Sequence, residues 1–253
     1  MNLERHTPAT EEEMRMARMT LVVGMVGSDG IVLAADKRFL DLPKTDKEID
    51  DRMDGRKIIP LAKHGVAYAF AGDFVSQSTG RELENRLDAG KFTFDHIDLS
   101  LEDLANDTID GERKKESNLA ILEAPFPRRL LVAFYGPQIT DEQLWSLDVR
   151  SGRGSKAERI DGTVIAGARG NAARFFQLYF KYNLPVESLK FLAAHIVLAG
   201  RSWNGDIDGL DLVTVSKISG LKWVDEKEKE VFRDRFDKLD GMIHKFLLSP
   251  EEI

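Results

Sequence analysis

The sequence changes character abruptly at Thr20. Residues 1–19 are polar, with Pro8 and an acidic run at 11–13. After Thr20, two nearly apolar segments rich in β-branched residues flank the tight-turn signal Ser28-Asp29-Gly30. Because strands with one solvated face alternate apolar and polar residues, these continuous apolar runs predict a hairpin over 20–36 that is covered on both faces.

The composition limits the possible functions. A chain of 253 residues with 42% hydrophobic content can form one globular core. Its net charge of −7 argues against nucleic acid as the main partner, because a backbone binder needs clustered Lys and Arg. With no cysteine in the chain, disulfides, thiolate metal sites and a cysteine nucleophile are excluded.

No targeting, membrane or cofactor signal is apparent. The leader at 1–18 lacks the apolar core of a signal peptide, and no apolar run approaches the length of a membrane span. The simplest expectation is a cytoplasmic protein without a membrane partner. The histidines lack ligand spacing and there is no phosphate-binding glycine loop, so we expect neither a metal nor a cofactor.

The hydrophobic periodicity predicts an α+β fold. Strands are predicted at 21–26, 31–35, 57–61, 66–71, 130–135, 144–149, 163–166, 210–215 and 221–224. Helices are predicted at 74–87, 99–122 with an interruption, 171–182, 186–199 and 225–247. Because helices come in consecutive pairs, the order favours mainly antiparallel sheets covered by helix pairs over a parallel, doubly wound sheet. We predict a four-layer α-β-β-α sandwich of two such sheets.

The segment from Thr20 to Arg38 resembles the start of mature proteasome β-subunits of the bacterial and archaeal type, which are N-terminal nucleophile hydrolases. A threonine opens the first strand, a glycine turn follows, and Ala34-Ala35-Asp36-Lys37-Arg38 ends the second. The interval from Thr20 to Asp36 equals that between nucleophile and aspartate in the family. The resemblance covers roughly 20–224 and leaves outside a leader at 1–19 and a C-terminal amphipathic helix and tail at 225–253.

Two further segments extend the resemblance. Arg56-Lys57-Ile58 looks like the catalytic-lysine segment, a few residues later than usual, which a longer preceding loop would absorb. Phe70-Ala71-Gly72-Asp73 resembles the element whose glycine amide supplies the oxyanion hole. The resemblance therefore implies Thr20 as nucleophile, with Asp36, Lys57 and Gly72 as its catalytic partners and Arg38 in support.

The chemistry of these residue types agrees with that assignment. A threonine hydroxyl needs a base, and the α-amine of an N-terminal threonine can serve, because its pKa of roughly 7.7–8.0 lies near neutrality. A nearby Lys57 ammonium would disfavour protonation of the amine, and Asp36 would orient the lysine. The Gly72 N–H would stabilise the developing oxyanion.

Three departures from the family pattern weaken this assignment. Ala168 stands where the family has a supporting serine in Gly-Ser-Gly, and no serine accompanies Asp206 or Asp208 in the later support element. Met19 precedes Thr20, where self-processing precursors usually carry glycine. Translation from Met19 followed by methionine removal is an alternative route to a free Thr20.

The leading hypothesis is a threonine-type peptidase or amidohydrolase that acts on peptides or unfolded proteins. The resemblance implies a homo-oligomeric, self-compartmentalised ring. An ATPase or another regulatory partner, of unknown identity, is a further expectation. Two alternatives stay open. One is a non-catalytic structural subunit of such an assembly. The other is an amide transferase that uses the same acyl-enzyme chemistry.

Overall fold

The protein contains two antiparallel five-stranded sheets. The structure is a computed structural model that describes residues 20–37, 56–115, 122, 128–150, 154–167, 179–181, 183–203 and 209–248. Every pairing between neighbouring strands is antiparallel. A single parallel sheet with alternating helices is therefore excluded.

The first sheet combines strands that are distant from one another in the chain. They are β1 (Leu21–Val26), β2 (Ile31–Ala35), β8 (Thr163–Gly167), β9 (Asp211–Ser216) and β10 (Gly220–Trp223). The second sheet is a meander of β3 (Ile58–Leu61), β4 (Val66–Ala71), β5 (Arg129–Phe134), β6 (Gln143–Asp148) and β7 (Lys156–Ile160). The strand order is β10-β9-β2-β1-β8 in the first sheet and β3-β4-β5-β6-β7 in the second. The hairpin predicted over 20–36 is confirmed as β1 and β2, and their residues are buried except at the turn.

Among the described residues, four long helices cover the sheets. They are α1 (Phe74–Asp88), α2 (Ile97–Arg113), α3 (Val186–Trp203) and α4 (Glu226–Leu248). In α1 the predicted apolar positions Val75, Thr79, Leu83 and Leu87 are all buried. Residues spaced by four lie on one helix face, so this periodicity identified the side that packs on the sheet.

Three apolar clusters show how these elements stack. One cluster contains residues of both sheets, such as Leu33 and Leu131, so the sheets pack face to face. A second joins the outer face of the second sheet to α1 and α2, and a third joins the first sheet to α3 and α4. The arrangement is compatible with the predicted sandwich, in which each sheet buries both faces.

The sequence reading missed or misplaced several features. Strand β7 was not predicted, because only Ala157 of its five residues is buried and an edge strand of polar residues carries little apolar periodicity. On α4 the sequence predicts one apolar side formed by Val231, Phe232, Phe236, Leu239 and Ile243. This prediction is partly wrong, because Val231 and Ile243 are 46% and 37% exposed while Phe232 is buried. The helix predicted at 171–182 lies largely outside the described residues.

A buried histidine lies between α3 and α4. His195 of α3 is 2% exposed and packs against Phe191 and Phe236, with ring centroids 5.0 and 4.8 Å away. Burial lowers the pKa of His195 from 6.5 to about 4, although the Asp240 carboxylate opposes this change. The histidine is therefore neutral in the folded protein at neutral pH.

We predict that folding stability falls as the pH drops from 6.5 towards 4. In this window the unfolded chain protonates His195 and the folded chain does not, so acid favours the unfolded state. At pH 5 this one residue should cost about 2 kcal/mol relative to pH 7.5, measured by urea unfolding. His195→Phe should flatten the dependence and His244→Gln, an exposed control on α4, should not. Equal slopes for His195→Phe and the wild type would contradict the prediction.

Candidate active site

Thr20 lies at the start of β1, in a crowded position. It is 7% exposed and immediately precedes Leu21, which pairs with Gly167 of β8. A Cβ placed on Gly167 would lie 1.7 Å from the Thr20 carbonyl oxygen, and Gly167 has a φ of +91°. Only glycine can meet both conditions without displacing the threonine backbone.

Asp36 and Lys57 form a buried ion pair between the two sheets. Asp36 directly follows β2 of the first sheet and Lys57 directly precedes β3 of the second. The Lys57 Nζ donates to Asp36 Oδ2 at 2.6 Å, and the two side chains are 2% and 0% exposed. The predicted pairing of these residues is therefore confirmed.

The same carboxylate is connected to the residue after Thr20. The backbone N–H of Leu21 donates to Asp36 Oδ1 at 2.7 Å, and the Asp36 N–H donates to the Leu21 carbonyl at 3.1 Å. One Asp36 oxygen thus accepts from Lys57 and the other from the peptide group that joins Thr20 to Leu21. This bridge brings Thr20, Asp36 and Lys57 to one end of the sandwich.

Burial changes the proton affinity of Lys57. Desolvation lowers the pKa of this ammonium below its ordinary value, and the Asp36 carboxylate partly opposes the shift by Coulombic attraction and hydrogen bonding. A lysine in these surroundings releases a proton more readily than an exposed one. Buried lysines with lowered pKa are found in catalytic proton transfer and also in structural ion pairs.

Gly72 occupies the junction between β4 and helix α1. Its φ of 117° lies in the region that favours glycine. The next residue, Asp73, caps α1, since its carboxylate accepts from the Val75 N–H at 3.0 Å. Arg128, which is 3% exposed, holds the same carboxylate through Nε at 2.6 Å. The backbone around Gly72 is thereby anchored from a second strand.

Some of the predicted site residues lie among the residues that the structure describes, and others do not. Thr20, Asp36, Lys57 and Gly72 are described, and their catalytic roles stay predictions. Arg38, Ala168, Asp206 and Asp208 lie outside the described residues. The assigned division into 1–19, 20–224 and 225–253 also stays a prediction.

Sequence reasoning missed the roles of three residues that support this region. The N-cap role of Asp73 could have been read from its place before a helical pattern. Its partner Arg128 carries no local signal, because the two residues are distant in sequence. Gly167 was noted only as part of a motif, and its close approach to Thr20 requires the pairing of β1 with β8.

No protein-family model matches the sequence, and no curated protein matches it either. In the described part of the chain, no helix is long and apolar enough to cross a membrane. The same residues contain no group of three or more His, Cys, Asp or Glu side chains that could hold a metal ion.

We predict strong energetic coupling between Asp36 and Lys57. Removing one member of a buried pair leaves an uncompensated charge, so Asp36→Asn and Lys57→Met should each destabilise the fold by about 3–5 kcal/mol. In urea unfolding, the double variant should lose less unfolding free energy than the two single variants together, by at least about 2 kcal/mol.

The exposed pair Asp110 and Arg113 serves as the control for this cycle. Their side chains are 65% and 45% exposed and approach to 3.3 Å. The corresponding cycle, with Asp110→Asn and Arg113→Met, should give a coupling below about 1 kcal/mol. Additive single effects at Asp36 and Lys57 would contradict the structural importance of the buried pair.

We predict that Gly167→Ala is far more harmful than Gly220→Ala. Gly220 also has a positive φ, of +65°, but a Cβ there meets no atom within 4 Å. Both variants share the backbone strain, and only Gly167→Ala clashes with Thr20. The difference in unfolding free energy should be at least about 2 kcal/mol. Equal losses would show that the contact at Thr20 relaxes easily.

Proposed function

We propose that this protein is a threonine-type peptidase or amidohydrolase that uses Thr20 as an N-terminal nucleophile. The observation that carries the proposal is the Asp36 carboxylate, which bridges the Lys57 ammonium and the N–H that follows Thr20. A charged pair buried at this depth is costly to maintain for stability alone. Its position beside a strand-opening threonine supports a role in chemistry.

In the proposed reaction, the Thr20 hydroxyl oxygen bonds to the carbonyl carbon of a peptide. The α-amine of Thr20 takes the hydroxyl proton and returns it to the leaving amine as the peptide C–N bond breaks. A water molecule then hydrolyses the resulting ester by the reverse proton transfers. No oxidant, reductant or metal is needed for either step.

The partners of Thr20 have distinct proposed roles. The ammonium of Lys57 lowers the pKa of the Thr20 amine by disfavouring a second positive charge nearby, which keeps the amine neutral and able to accept a proton, and Asp36 orients Lys57. The Gly72 N–H stabilises the oxyanion, an interaction worth roughly 3 kcal/mol in other acyl-transfer enzymes. The Asp73–Arg128 pair acts indirectly, because it anchors the backbone on which Gly72 lies.

We further propose that the fold is of the N-terminal nucleophile hydrolase type and that subunits assemble into a homo-oligomeric ring. The two antiparallel sheets with helices on their outer faces support the first part. In the proposed ring, α1 and its neighbours supply lateral contacts, and peptides or unfolded proteins enter an enclosed chamber. A regulatory partner such as an ATPase and a cytoplasmic location belong to the same proposal.

A structural, non-catalytic subunit is the second candidate function. The observation that favours it is Ala168, which stands where the resemblance expects a supporting serine. The transferase alternative shares the acyl-enzyme and differs only in the group that resolves it. Adding hydroxylamine or an amino acid amide during turnover distinguishes a transferase from a hydrolase, because a transferase forms the corresponding amide product in place of the acid.

We predict that the chain becomes active only when Thr20 is its first residue. In a chain that begins at Met1, the Thr20 nitrogen is an amide and cannot act as a base. A version that begins Met19-Thr20 should gain peptidase activity after methionine removal, detected with a fluorogenic peptide library and by mass spectrometry with an electrophile that captures N-terminal threonine.

Matched variants of the short form test each role. Thr20→Ala should be inactive and Lys57→Ala severely impaired, while Thr20→Ser should keep some activity because it retains both hydroxyl and amine. Activity equal in the long and short forms, or turnover by Thr20→Ala, would defeat the proposal. Light scattering on the same samples tests the ring, which a stable monomer would contradict. If Thr20 never reacts with the electrophile and neither form cleaves any peptide, the structural-subunit hypothesis replaces the peptidase proposal.

A further inference from the structure

A cavity is lined in part by the sequence neighbours of the Asp36–Lys57 pair. Its volume is about 550 Å³, within the range of small-ligand sites, and residues of β9, β10 and the start of α4 line it. Lys37 and Arg56 complete the lining. These two residues immediately follow Asp36 and precede Lys57, so the cavity shares its backbone segments with the candidate active site.

One buried oxygen in this cavity has no partner. Asp211 begins β9 opposite Ala35 and is 3% exposed. Its Oδ1 lies 3.4 Å from Lys37 Nζ and 3.6 Å from Lys229 Nζ. Its Oδ2 accepts no hydrogen bond from any residue that the structure describes. A buried carboxylate oxygen without a donor is costly, and a ligand N–H would satisfy it.

One cation of the cavity also has spare donors. The Arg56 guanidinium lies over the Trp223 ring, 5.0 Å from its centroid. This cation–π contact holds the guanidinium next to a residue that lines the cavity. Among the described residues, Arg56 forms no ion pair or hydrogen bond. A guanidinium held in this way presents N–H groups that match a carboxylate.

The other charges of the cavity are already engaged. Glu226 Oε1 accepts from Lys229 at 2.9 Å and Lys37 at 3.4 Å, and these contacts lower the pKa of Glu226 to about 2. Asp225 Oδ1 accepts from the Glu228 N–H at 2.9 Å. Among the lining residues that the structure describes, Asp211 Oδ2 is the buried acceptor without a donor. Arg56 is the lining cation for which no ion pair is formed with a described residue.

These two groups define the ligand. A metal ion at Asp211 is disfavoured, because the Lys37 and Lys229 ammonium groups already lie 3.4 and 3.6 Å from this carboxylate and would repel a further cation. A peptide supplies both complementary groups, a backbone N–H and a carboxylate. We propose that the cavity is a subsite for a peptide segment that presents a carboxylate to Arg56 and a backbone N–H to Asp211 Oδ2.

The identification of the ligand as a peptide rests on the proposed function, but binding does not require turnover. The first sheet has the order β9-β2-β1, so the cavity lies across β2 from the strand that Thr20 opens. Adjacent strands are about 5 Å apart, which places the subsite about 10 Å from Thr20, a separation that a few residues of extended peptide span. The carboxylate can belong to an acidic side chain or to the peptide C terminus.

The test measures binding of four acetylated alanine tetrapeptides to the full chain carrying Thr20→Ala, by calorimetry. One has an internal glutamate and an amidated C terminus, and the second has glutamine in place of glutamate. The third is all alanine with a free C-terminal carboxylate, and the fourth is its amide. At least one charged peptide should bind about tenfold or more tightly than its neutral counterpart. The glutamate and C-terminal arms identify the source of the carboxylate.

Variants assign the binding to the cavity. Arg56→Gln should abolish the preference for the charged peptide over the neutral one. Asp211→Asn should lower the affinity for the charged peptide and for its neutral counterpart by the same factor. Arg235→Gln is the control, because Arg235 lies 5.6 Å from the Phe191 ring, also on an aromatic face but outside the cavity. If Asp211→Asn does not fold, the exposed Arg56 still decides the question.

The outcomes separate this proposal from the proposed peptidase activity. Equal binding of charged and neutral peptides, or equal losses in Arg56→Gln and Arg235→Gln, would overturn the subsite. Arg56-dependent binding by a protein whose short form never cleaves a peptide would support the subsite and remove the peptidase. If the short form cleaves peptides but peptide binding does not depend on Arg56, the peptidase proposal is supported and the subsite is overturned.

Discussion

The ion pair between Asp36 and Lys57 is the interaction on which this end of the sandwich depends. Asp36 directly follows β2 and Lys57 directly precedes β3, and these two strands belong to different sheets. Removing both charges from water carries a large penalty, and the direct contact with the Leu21 N–H offsets part of it. The sheets, the strand that Thr20 opens and the lysine are therefore held in a single arrangement.

Two backbone features act with the ion pair to set the geometry around Thr20. The close approach of β8 at Gly167 restricts where the Thr20 carbonyl can lie. On the other sheet, the capping of α1 by Asp73 and the contact of Asp73 with Arg128 hold the turn at Gly72. Rigid strand ends of this kind can position reacting groups more precisely than loops, as a preorganised site requires.

The charged cavity extends this organisation beyond the threonine. Lys37 and Arg56 flank the buried pair in sequence, so the backbone that orients Asp36 and Lys57 also presents these exposed cations to the cavity wall. Lys37 is engaged by Asp211 and Glu226, whereas Arg56 is held only by the Trp223 ring among the described residues. A ligand bound there would contact the same segments that carry the proposed catalytic residues.

The sequence by itself determined the elements whose patterns are local. The hairpin at 20–36 and the buried face of α1 follow from apolar periodicity, and the order of helices and strands favoured antiparallel sheets over a parallel one. It also supplied Thr20, Asp36, Lys57 and Gly72 as candidates, through residue type and spacing. Edge strand β7 escaped because its single buried residue, Ala157, produces no periodic signal.

Only the tertiary structure decided which distant residues meet. The contact of Gly167 with Thr20 arises from the pairing of β1 with β8, and that of Arg128 with Asp73 arises where β5 begins beside the end of β4. The orphaned oxygen of Asp211 depends on how β9, β10 and α4 converge. Hydrophobic patterning specifies which face of an element is buried, but long-range pairing and desolvation, which set these contacts, depend on the whole packed arrangement.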